Sequence, residues 1–111
     1  MGAFNTVLGT VSCPRCHSSV GVRVQFKYAD TRQHEYRLGD VLRWGGNDIG
    51  LSGKRYVVVD GVAEGACVSC GFDGEWAFYV IVERDRITRL VLADGSYDFA
   101  KTGATHLVLK D

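Results

Sequence analysis

Val20-Gly21-Val22-Arg23-Val24-Gln25-Phe26-Lys27-Tyr28 is the clearest periodic stretch in this 111-residue chain. Val20, Val22, Val24, Phe26 and Tyr28 fall on one face, and Gly21, Arg23, Gln25 and Lys27 on the other. Alternation at period two marks a strand with one face buried and one face in water. No window sustains a 3.6-residue period. The fold class expected from this stretch is therefore all-β or nearly so.

Working outward, 4–11 reads as a strand rich in Val, Thr and Leu. Residues 36–44 read as a bent strand or strand pair, broken near Gly39 and Asp40. The run Tyr56-Val57-Val58-Val59 marks another strand over 55–62. Residues 75–83 are apolar on both faces, which predicts a central strand covered on two sides. A turn at 84–86 leads to 87–93 and completes a hairpin. A short strand is expected over 106–109, and one helical turn over 96–102. The polar stretch 29–35 and the Gly-rich stretch 45–53 read as loops, the second as a mobile one. Roughly seven short strands in one domain, 1–111, suit a small sheet or barrel.

The composition is that of a folded chain, with 46% hydrophobic and 23% charged residues, which argues against disorder. A core of this size is modest, and a staple would strengthen it. Thirteen Lys and Arg balance thirteen Asp and Glu. A neutral chain lacks the electrostatic footprint of a dedicated nucleic-acid binder. The first residues show no basic leader pattern, and no stretch approaches the ~18 apolar residues of a membrane span. The expectation is a cytoplasmic protein with no membrane partner, whose thiols stay reduced.

Two knuckles flank the middle of the chain: Cys13-Pro14-Arg15-Cys16 and Cys67-Val68-Ser69-Cys70, the second followed by Gly71. Four thiolates in two C-x-x-C pairs suit one tetrahedral ion, with Zn²⁺ the first choice. Iron in a rubredoxin-like site is chemically close, and the sequence does not separate the two. With all four positions filled by thiolate, no place is left for water or substrate, so the metal is expected to be structural. Gly71 suits a position that often needs positive φ, while His17 stands at the equivalent place in the first knuckle. Cys13–His17 also matches the C-x-x-C-H haem attachment pattern, which would leave the second pair unexplained. A thioredoxin-like redox pair at Cys13 and Cys16 would need a helix N-terminus, whereas a β-periodic stretch follows.

These knuckles resemble those of the zinc-ribbon group, in which C-P-x-C leads to a strand and C-x-x-C-G to a hairpin. The resemblance covers about 6–28 and 63–93. Fifty residues separate Cys16 from Cys67, against ~15–20 in simple ribbons. It implies a β-rich insertion, 29–62, between the knuckles. Zinc ribbons serve many functions, so the resemblance implies a metal and names no activity.

The expected function is a non-catalytic binding module with a protein partner: an adaptor, a complex subunit or a toxin-neutralising immunity protein. The insertion supplies the candidate surface, Arg37, Arg43, Trp44, Asn47, Asp48 and Lys54. Its charge is mixed in sign, which suits a protein better than a phosphate backbone. The alternative is RNA or DNA binding on the polar strand face of Arg23, Gln25 and Lys27. The stretch before Lys54 fails the P-loop pattern, because Asp48 and Arg55 stand where Gly and Ser or Thr belong.

Overall fold

The computed structural model describes residues 4–13, 15–46, 48–50, 52–64, 67, 70–71, 77–93, 95–97, 99 and 106–110. Their elements are all strands: β1 (Asn5–Ser12), β2 (Ser19–Phe26), β3 (Ala29–Asp30), β4 (Glu35–Arg37), β5 (Asp48–Ile49), β6 (Tyr56–Ala63), β7 (Ala77–Glu83), β8 (Arg86–Leu92) and β9 (His106–Lys110). The fold is nearly all-β, a curled sheet forming a half-barrel. Most of the stretch expected to hold a helical turn, 96–102, lies outside the described residues.

The main sheet runs β4-β1-β2-β6-β7-β8, with β9 also on β6. The alternation over 20–28 does what period two requires. Val20, Val22, Val24, Phe26 and Tyr28 are all buried, and Gly21, Arg23 and Lys27 are exposed. Val7 from β1, Val57 and Val59 from β6, Phe78, Val80 and Val82 from β7, and Ile87 and Leu90 from β8 complete the same core. As expected, β7 is covered on both sides. Tyr79 and Ile81 on its other face join Val58 and Phe99 in a second, smaller core.

Two hairpins make up most of the sheet. β1 and β2 pair along their whole length, from Asn5↔Phe26 to Ser12↔Ser19. β6 and β7 pair from Val57↔Val82 to Val62↔Ala77. The seam between the hairpins is short, consisting of Val24↔Ala63, Gln25↔Val62 and Phe26↔Gly61. The rest of that β6 edge is taken by β9, from Tyr56↔Lys110 to Val59↔His106. β2 and β9 thus divide one edge end to end. Residues 29–62 contribute β3, β4, β5 and nearly all of β6, so the stretch between the knuckles includes the strand on which β2, β7 and β9 meet.

The half-barrel is strapped across its open side. After β4 the chain turns at Gly39 (φ +94°). It then bonds to β8 through Gly39 N to Ile87 O (2.7 Å) and Ile87 N to Asp40 O (3.0 Å), and to the turn before β8 through Leu42 N to Asp85 O (2.7 Å).

The polar stretch 29–35 departs from expectation. Ala29, Asp30 and Thr31 are buried, and Ala29–Asp30 pairs with β5. Asn5, fully buried, organises it. Its amide donates to Tyr28 O and Asp30 O, both at 2.9 Å, and its carbonyl oxygen accepts His34 N at 3.0 Å. The Asp30 carboxylate in turn meets His34 Nε2 at 3.0 Å and Arg32 Nε at 3.5 Å. A buried backbone must pair its polar groups, and one Asn side chain here does so for three separate residues.

Asp60, on β6, has its carboxyl pKa raised by desolvation, partly offset by a hydrogen bond from the Gly61 backbone. A raised carboxyl pKa contributes stability below the unfolded value that is lost as pH rises through the folded one. Asp60→Asn is therefore expected to raise the melting temperature slightly at pH 7, by about 0.5 kcal/mol or less in stability. It should also flatten the melting profile above pH 4. Melts of both proteins across pH 3–7 check this.

Candidate metal centre

Both knuckles sit at the same end of the sheet because both are hairpin tips. The first, 13–18, joins β1 to β2. The second lies between β6 and β7. The β2–β6 register continues beyond the strands, with Glu64 N donating to Arg23 O at 2.8 Å. The thiols of the two pairs meet beyond this seam, Cys16 with Cys67 and Cys13 with Cys70.

The four Sγ atoms all lie within 4.8 Å of one another. Cys13 and Cys70 are 3.7 Å apart and Cys16 and Cys67 4.0 Å, and all four thiols are free of disulfides. Thiolates on a tetrahedral ion at about 2.3 Å stand about 3.8 Å apart, so the cluster fits such an ion. Cys13 and Cys67 are buried, Cys16 is half-buried and Cys70 is exposed. The backbone supports the thiols too: Arg15 N lies 3.4 Å from Cys13 Sγ. Hydrogen bonds from the backbone and side chain of Ser18, then from the thiols of Cys13 and Cys70, outweigh desolvation and hold the Cys16 thiol down to about 6. At neutral pH that favours the thiolate, which is the form that ligates metal.

The two knuckles close in the same way. His17 N donates to Cys13 O at 2.9 Å, and Gly71 N donates to Cys67 O at 2.8 Å. His17 has φ +60° and Gly71 φ +76°. The departure in sequence at His17 is therefore no departure in backbone. Non-glycine residues are rare in this region, but His is among those enriched there. The His17 side chain is exposed. The Cys13–Cys16 pair lies in a hairpin turn, away from the helix N-terminus that a thioredoxin-like reading needs.

Comparison with known protein families, curated proteins and solved structures finds no match. The likeness to zinc ribbons thus rests on the cysteine knuckles alone. Among the described residues, no helix is long and apolar enough to cross a membrane.

The candidate binding residues are spread over several segments. Arg37 and Arg43 are exposed on either side of the 38–41 turn, next to exposed Leu38 and Val41. Arg43, Val41, Asp40, Glu35 and Tyr36 line a polar cleft of about 230 Å³. Trp44 is half-buried against the main core and meets the Tyr28 ring edge-on at 5.4 Å. Its Nε1 is buried with no hydrogen-bond partner among the described residues. Asp48 is exposed, its carboxylate accepting Gly45 N at 3.0 Å. Lys54 is half-buried at the start of the approach to β6. Asn47 lies outside the described residues. On the alternative face, the Arg23 guanidinium is paired with Glu35 and lies 3.8 Å from Glu64. Gln25 is half-buried and Lys27 exposed. That face carries its own counter-charges at Arg23.

The Gly-rich loop, expected to be mobile, is tied down at several points. Asp85, in the β7–β8 turn, accepts Ser52 Oγ at 2.7 Å and Gly53 N at 3.0 Å. Arg84 N donates to Lys54 O at 3.1 Å. Gly50 (φ +85°) lies flat on Tyr28, where an added Cβ would come within 2.4 Å of the ring. Sequence reading missed Asp85 because its partners are more than thirty positions away. Asp85→Ala is expected to cost about 1–2 kcal/mol. It should also accelerate hydrogen exchange at the Gly53 amide, while the amides of β2 keep their protection.

Proposed function

We propose that this chain is a small zinc-stabilised binding module, without catalysis of its own, whose partner is a protein. One observation supports it above the others: four thiols converge between two hairpin tips with spacings that suit a closed tetrahedral site. Zn²⁺ held by four thiolates there would be a cross-link, because no position remains for a reacting water. Cytoplasmic residence, where thiols stay reduced, is part of the same reading.

Two features favour a protein over nucleic acid. The chain has no net charge, and Arg23 is already met by Glu35 and Glu64. The surface we assign is the turn after β4. Leu38 (44% exposed) and Val41 (54% exposed) stand there between Arg37 and Arg43, and Trp44 packs against the main core. Exposed apolar side chains with arginine at the rim suit a protein contact. An adaptor, a subunit of a larger complex or an immunity protein that masks a toxin would each present such a patch.

Native mass spectrometry and elemental analysis of the purified chain should find one zinc per molecule. A tagged chain should retain a defined protein partner from its native source, and Leu38→Asp with Val41→Asp should lose that partner while keeping zinc and fold. Recovery of nucleic acid alone, or a metal-free folded chain, would overturn the reading.

A further inference from the structure

The outer face of β6, β7 and β8 carries a second feature that neither the metal centre nor the turn after β4 explains. Beyond β8, Tyr97 and Phe99 pack against this face. Gly95 N and Tyr97 N donate to the hydroxyl of Tyr79 at 3.0 and 3.3 Å, which fixes the 95–97 turn against β7. The Tyr97 ring stands edge-on to Tyr79 at 5.0 Å. A cleft of about 300 Å³ lies beside these residues, lined by Tyr56, Tyr79, Tyr97, Ile81, Val91 and Arg89 among others.

Arg89 decides what this cleft could take. It is exposed, and Nη2 donates to Tyr56 Oη at 2.9 Å, which holds the guanidinium beside the Tyr56 hydroxyl at the cleft wall. Among the described residues it meets no carboxylate within ion-pair distance. The described lining contains no acid either. A guanidinium has five N–H donors in a fixed fork, and one hydroxyl leaves most of them unused. Such a fork is matched by a carboxylate or a phosphate. The tyrosine walls match a flat ring, which packs on them edge-on or offset. A volume near 300 Å³ lies at the lower end for ligand pockets and suits a single ring.

We propose that this cleft binds a small one-ring aromatic anion. The ring enters among Tyr56, Tyr79 and Tyr97, and the anionic group pairs with Arg89. This site is independent of the protein partner assigned to the turn after β4.

Phenyl phosphate is the probe, titrated into the metal-loaded, ¹⁵N-labelled full chain. Benzyl alcohol supplies the ring without the charge, and inorganic phosphate the charge without the ring. Saturable shifts are expected for phenyl phosphate at the amides of Tyr56, Ile81, Arg89 and Tyr97. Each control should bind at least tenfold more weakly. Arg89→Gln should weaken phenyl phosphate at least tenfold with the rest of the spectrum unchanged. Tyr56→Phe, which keeps the ring and frees the guanidinium, should weaken it several-fold, and Arg37→Gln should leave it unaltered. No saturable shift up to about 20 mM, equal binding of either control, or unchanged affinity in Arg89→Gln would overturn the proposal.

Discussion

Cys67→Ser is expected to release the metal and unfold the chain at ordinary temperature. Cys67 is buried at 3% exposure, and its Sγ lies 4.0 Å from that of Cys16. The ion it helps to hold would join the β1–β2 hairpin to the β6–β7 hairpin at the end where their own pairing gives out. That pairing consists of only three residue pairs. Structural zinc contributes on the order of 10–16 kcal/mol in zinc-finger peptides, and whole domains are stable by only about 5–15 kcal/mol. Losing the ion should therefore exceed the margin. The expected readout is a metal-free, expanded chain by native mass spectrometry, with no cooperative melt. A strong chelator should do the same to the unaltered chain, and added zinc should restore it. Cys70→Ser should be milder, because Cys70 is exposed and water can stand in at its position. A cooperative melt of metal-free Cys67→Ser, close to that of the parent, would remove the metal from the account of stability.

Asn5→Ala is the second large expected effect, and it lies far from the cysteines. The substitution leaves Tyr28 O, Asp30 O and His34 N without their side-chain partner. An orphaned buried group costs roughly 1–3 kcal/mol, so three cost on the order of 3 kcal/mol or more. For a domain of this size that is a fall in melting temperature of roughly 10–20 °C. Asn5→Asp should be no better. A carboxylate can still accept His34 N but has no N–H for the two carbonyls, and it carries a charge into a site with Asp30 nearby. The check is a thermal melt of both variants with zinc content measured alongside. Zinc should stay at one per chain in the folded fraction, which separates this loss from that of Cys67→Ser. A fall under about 3 °C in both would show that the three groups find other partners.

These two residues differ in how well the sequence announces them. The cysteines are conspicuous because ligand spacing is local, and two C-x-x-C pairs imply one ion wherever they meet. What brings them together, the β2–β6 register, is a long-range pairing that no local pattern reveals. The alternation over 20–28 was readable for the same reason as the knuckles, as was the two-sided burial of β7, because side-chain period and apolar content are properties of neighbours in sequence. Asn5 is the opposite case. Its partners lie 23, 25 and 29 positions away, and a single Asn at the start of a strand reads as a solvated end. The stretch 29–35 was assigned to a loop because it is polar. Its first three residues are buried because Asn5 and its own Asp30 satisfy polar groups there. An Asp in a charged turn such as 84–86 reads as solvated, whereas the Asp85 carboxylate is the anchor of the Gly-rich loop. Polar residues that act over a distance leave no periodic signal.

The matching backbones at His17 and Gly71 bear on how such knuckles are found in other chains. A pattern that spells the residue after the second cysteine as glycine describes an alphabet, whereas the turn asks for a rotation. His17 at φ +60° satisfies the turn as Gly71 does at φ +76°. Asn and Asp tolerate the same region and would be read past in the same way. Writing that position as a conformational class, Gly with His, Asn and Asp beside it, would recover half-knuckles that a literal spelling discards. The second cysteine pair, fifty residues on, then serves as the check.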